Sequence, residues 1–99
     1  MLDVLLLFSK SDDAVVQDKM ISMLLTLMKE APGLRRLRVN EGDLMGRGGP
    51  PPYSRVVEAS FESLGDWMAL VDVLNSQPDV EADDRVALPL VVFFEARDA

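Results

Sequence analysis

The 99-residue chain contains no histidine and no cysteine. Histidine is the side chain that titrates nearest neutral pH and binds transition metals most often. Without it, general acid or base work falls to a carboxylate, lysine or tyrosine with a displaced pKa. The lack of cysteine excludes disulfides, thiolate metal sites and thiol nucleophiles, and fits a reducing compartment. Positive charge is also scarce: ten Lys and Arg stand against seventeen Asp and Glu, for a net charge of −7. That balance argues against general affinity for nucleic-acid phosphates or anionic lipid, and leaves room only for a local basic patch. Residues 1–52 carry seven charges of each sign, whereas residues 53–99 carry ten acids and three arginines, so the acidic excess lies in the second half. Long apolar runs are missing too. Leu2-Asp3-Val4-Leu5-Leu6-Leu7-Phe8 is too short to span a bilayer and lacks the basic start and small-residue cleavage site of a signal peptide. The expectation is a cytoplasmic protein with no nucleic-acid and no membrane partner.

What the chain does have is enough apolar residue for a core. At 48% hydrophobic and 27% charged it is globular rather than disordered, and its length suits a single domain over residues 1–99. A chain this small buries roughly 65% of the surface its unfolded form exposes, a modest surplus that oligomerisation would enlarge. The opening run is apolar at nearly every position, as in a strand buried on both faces, and Asp12 or Asp13 can cap a helix that runs from about Ala14 to the Pro32-Gly33 stop. At 100° per residue this helix has an apolar arc of about 200°, interrupted by Gln17 and wider than contact with one sheet requires. A partner subunit or folded-back loop is expected over its flank. Leu34 to Val39 reads as a second strand near an edge, and Glu41 to Pro52, with four of the six glycines and three of the six prolines, as a loop. Tyr53 to Phe61 alternates as a third strand, with Val57, Ala59 and Phe61 on one face and Ser54, Val56, Glu58 and Ser60 on the other. Ser63 can cap a second helix with Leu64, Trp67, Met68, Val71 and Leu74 on its apolar side, ending near Ser76-Gln77-Pro78. After four acids between Asp79 and Asp84, Val86 to Ala96 reads as a fourth strand, with Pro89 placing it at an edge or bulge.

This order predicts an α+β, ferredoxin-like βαββαβ fold: a four-stranded antiparallel sheet with both helices on one face. The other face is then bare, although the first and fourth strands are apolar on both sides. An isolated subunit would expose more apolar sheet than soluble monomers tolerate, so a twofold partner is expected to pack its own sheet there and form a dimeric α/β barrel.

Four features, in this order and spacing, resemble the EthD-like family of the dimeric α/β-barrel superfamily nearly end to end, from Leu2 to about Ala96. They are the apolar opening strand with its Asp-containing turn, Pro32-Gly33-Leu34-Arg35-Arg36 leaving the first helix, the Gly48-Gly49-Pro50-Pro51-Pro52-Tyr53 entry to the third strand, and Phe61-Glu62-Ser63-Leu64 before a helix with Trp67-Met68. The resemblance implies a homodimer and leaves the reaction open, since neighbouring families include monooxygenases of aromatic polyketides, haem-degrading enzymes and lactone isomerases. Many EthD-like chains carry Thr-His in the middle of the first helix. Met23 and Leu24 fill those slots here, so no catalytic role carries over from that motif.

Candidate chemistry centres on Glu58, a carboxylate among apolar neighbours on a strand expected to be central. Inside a dimer barrel, desolvation would raise its pKa toward that of a working base, with Arg36 or Arg38 stabilising an anion. The competing reading pairs Glu58 with Arg36, Arg38 or Arg55 in a structural network. Ser54 and Ser60 share the Glu58 face by parity and are candidate ligand contacts, as is Tyr53 at the mouth of the strand behind three prolines. Trp67 and the methionines Met20, Met23, Met28 and Met68 read as core or as lining of an adaptable cavity.

Gly46-Arg47-Gly48-Gly49 lacks phosphate-loop and dinucleotide spacing and reads as a flexible loop or a lid. The acids from Asp79 to Asp84 lack calcium-loop spacing, and Arg55 to Ala59 lacks the basic and aromatic positions of an RNA-binding strand. The leading expectation is a homodimer that binds a small apolar organic molecule in its barrel, with cofactor-independent oxygenase, isomerase or cyclase chemistry and no metal or flavin if it is catalytic. The alternative is a non-catalytic ligand-binding, accessory or dimerisation module.

Overall fold

In the computed structural model, which describes residues 1–76 and 88–99, six elements follow the chain: β1 (Leu2–Ser9), α1 (Ala14–Lys29), β2 (Leu34–Val39), β3 (Tyr53–Phe61), α2 (Leu64–Asn75) and β4 (Leu90–Glu95). Both helices begin where a side chain satisfies an otherwise orphaned N–H. Asp13 Oδ1 accepts from the Val16 N–H at 3.1 Å, and Ser63 Oγ accepts from the Asp66 N–H at 3.2 Å. The sequence expectations for Gln77 to Ala87, including the acidic run and the start of the fourth strand, lie outside the described residues.

The strands form one antiparallel sheet in the order β2-β3-β1-β4. β1 and β3 are central because they carry the deepest apolar faces. Leu2, Val4, Leu6 and Phe8 alternate inward on β1, and Val57, Ala59 and Phe61 do so on β3. β4 lies at an edge and is shorter than the predicted Val86 to Ala96: Leu88, Pro89 and Ala96 fall outside it, so the proline precedes the strand instead of interrupting it. β2 is the other edge. Its register shifts between Leu34 and Arg36, which turns Arg35 aside to pair with Glu62.

One core lies between the helices and this inner face. Ile21, Leu24 and Met28 come down from α1, Trp67 and Leu70 from α2, and the Trp67 ring is tilted against Phe61 with centroids 5.7 Å apart. Each fully buried large side chain contributes roughly 1.5–3 kcal/mol. Gln17, the break in the apolar arc of α1, is also buried. Its Nε2 donates to the Ser9 carbonyl at 2.7 Å, so the polar residue ties the helix to the end of β1.

The second helix differs from its predicted stripe. Leu70 points into the core with Trp67, whereas Leu64 and Met68 are exposed. At 100° per residue Met68 stands about 160° around the helix from Leu70, so one sheet cannot cover both. Of the methionines, Met28 is fully buried and Met20 and Met23 are half-buried.

Candidate functional site

Strand register on the sheet face away from the helices aligns side chains in rows. One row runs Arg36, Ser60, Asp3, Phe94 across all four strands, and the next runs Arg38, Glu58, Leu5, Val92. Beyond them lie Val56, Leu7 and Leu90. The face therefore divides into a polar quarter over β2 and β3, reaching Asp3, and an apolar half over β1 and β4. The apolar part is uncovered: Leu90 is 49% exposed, Val92 41% and Phe94 47%.

Two ties organise the polar quarter. Arg38 Nε donates to Glu58 Oε1 at 2.7 Å, and its Nη2 reaches the same oxygen. Ser60, only 7% exposed, donates through Oγ to Asp3 Oδ1 at 2.7 Å. Around these pairs opens a cleft of about 770 Å³, large enough for a small organic ligand, with Arg36 and Arg97 among its walls. A second, shallow hollow of about 340 Å³ continues beyond the Arg38–Glu58 pair and is lined by Val56, Asn40 and Leu44. Asn40 positions that wall, because its Oδ1 accepts from the Val56 N–H at 2.9 Å and its Nδ2 donates to the Gly42 carbonyl at 2.7 Å.

Of the residues singled out from sequence, Glu58, Arg36, Arg38 and Ser60 converge on this cleft. The pairing alternative for Glu58 describes the geometry found: Arg38 is its partner, while Arg55 turns to the other side of the sheet and meets Asp18 of α1 at 3.4 Å. Ser54 does not join the cluster. The register shift between Phe8 and Ser9 breaks the parity of β3 at its start, and the Ser54 hydroxyl lies 3.4 Å from both the Ser9 carbonyl and Gln17 Oε1. Tyr53 is also remote, about 17 Å along the strand from Glu58 at 3.3–3.4 Å per residue. It lines a separate hollow of about 320 Å³ with Lys10, Leu44 and Pro51. Asp3 is the residue that sequence reasoning passed over. The signal was there, since it is the only charged residue in an apolar strand and shares the parity of Leu5 and Leu7.

No protein-family model and no curated protein sequence matches the chain. Solved structures do match in fold. An EthD family protein from Bacillus halodurans superposes with a TM-score of 0.65 at 15% identity, covering 98% of this chain and 99% of that one. SnoaB, a cofactor-independent oxygenase from Streptomyces nogalater, gives 0.69 at 15% identity over 99% of this chain and 94% of its own. A dimeric ferredoxin-like protein of unknown function from Jannaschia gives 0.61 at 17% identity, with 96% and 98% covered. The likeness extends end to end, and at these identities it is a likeness of fold: a ferredoxin-like domain whose structural neighbours include an EthD family protein.

Proposed function

We propose that the chain is an EthD-like homodimer that packs its open sheet face against a second copy and holds a small apolar organic molecule in the space enclosed. The observation carrying this reading is the face itself: an apolar half that water covers at a cost, beside a cleft with polar walls. A twofold axis through that face buries the apolar half of both copies and converts an open cleft into an interior cavity. The dimeric state of the Jannaschia neighbour agrees with this arrangement.

Within this reading the Arg38–Glu58 contact favours binding over base catalysis by Glu58. The Glu58 oxygen that Arg38 engages is already occupied by the guanidinium, which leaves it less free to take a proton from a ligand. Glu58 is then a positioning residue for Arg38. Native mass spectrometry tests the proposal. The expected result is a dimer that releases a small organic molecule on denaturation, with Glu58→Gln retaining both dimer and ligand. A ligand-free monomer would overturn the reading, and loss of the ligand alone in Glu58→Gln would return Glu58 to direct contact with it.

A further inference from the structure

We infer that the cleft selects an apolar molecule bearing an anionic head, a carboxylate or an ionised phenol or enol, and that Arg36 holds that head. The inference rests on the binding role proposed above and adds the chemistry of the ligand.

The lining departs from the composition of the chain. Acids outnumber bases seventeen to ten overall, yet four of the seven arginines line this cleft together with three carboxylates. Pairing then separates the arginines. Arg35 is held by Glu62 and Arg38 by Glu58, whereas Arg36 and Arg97 have no carboxylate within ion-pair distance among the described residues, and of these two Arg36 is the one fixed on a strand of the sheet. Its neighbour in register is Ser60, whose hydroxyl is committed to Asp3. An uncommitted guanidinium in a ligand-sized cleft presents a fork of N–H donors that matches a carboxylate in two parallel hydrogen bonds.

Placement supplies the rest of the selectivity. The row from Arg36 ends at Phe94, three strand spacings or about 14 Å away at 4.7–4.9 Å each. A head at Arg36 directs the body of the ligand across the sheet toward Leu5, Val92 and Phe94. Asp3 stands between them and repels an anion, which confines the head to the β2 side and leaves only the uncharged body to cross.

Titration calorimetry with 2-naphthoate and its methyl ester tests this on the wild-type protein. The acid is expected to bind at least about tenfold more tightly, since a hydrogen bond to a charged group contributes ~1.5–3 kcal/mol. Arg36→Gln should bring the acid to the affinity of the ester without changing the ester or the sedimentation of the dimer. Equal binding of acid and ester would overturn the anionic head while leaving the binding role intact. Binding of neither would overturn both. Dissociation of the Arg36→Gln dimer would instead identify Arg36 as an ion-pair partner across the subunit interface, and the inference would fail.

Discussion

Phe94→Ser isolates the contribution of the open face to association. Phe94 is 47% exposed in the single subunit, so much of its ring contributes little to the subunit's own core. A phenylalanine presents roughly 200 Å², which leaves about 95 Å² to be covered by a partner. At about 25 cal/mol per Å² this is worth ~2.3 kcal/mol per copy, and a twofold interface contains it twice. Loss of about 4–5 kcal/mol raises the dimer dissociation constant by roughly three orders of magnitude, at tenfold per 1.4 kcal/mol. Sedimentation velocity over a concentration series measures the shift directly, and circular dichroism should show an unchanged secondary structure. An unaltered dissociation constant in Phe94→Ser, or a wild-type protein that sediments as a monomer at micromolar concentration, would refute the assignment of this face as the interface.

Two further substitutions test how the subunit itself is held together. Gln17→Leu removes the donor that meets the Ser9 carbonyl at 2.7 Å, and the cost of a buried, under-satisfied acceptor, about 1–3 kcal/mol, should appear as a fall in Tm of more than about 4 °C. Gly33 has φ +82° and a Cβ there would run into the Asp66 side chain, whereas Gly42 has φ +75° with open space around it. Gly33→Ala should therefore lower urea stability by more than Gly42→Ala, which bears only the left-handed backbone penalty of about 1–2 kcal/mol. Equal losses would show that the contact with Asp66 has no energetic weight.

The site was partly legible before the fold was known, and the reason lies in how each residue depends on its neighbours. Glu58, Ser60, Arg36 and Arg38 emerged from alternation along two strands, a local property that survives folding wherever the strand stays regular. Ser54 was misplaced because a register shift between Phe8 and Ser9, set by pairing with a different strand, reversed the expectation at the start of β3. Leu70 replaced Met68 on the inner side of α2 because the stripe is wider than the sheet it meets, and only the packing direction chooses which edge is buried.

By itself, the sequence determined the order of elements and the Ser63 cap, and narrowed the other cap to Asp12 or Asp13 and β4 to an edge or a bulge, since short-range periodicity, side-chain capping and the missing N–H of a proline act within a few residues. Tertiary structure alone decided that Arg38 rather than Arg55 meets Glu58, that Asp3 faces Ser60 across 57 residues, and that Arg36 is left unpaired among the described residues. Those outcomes depend on strand order and register, which are fixed by contacts between distant parts of the chain and leave no trace in any one segment.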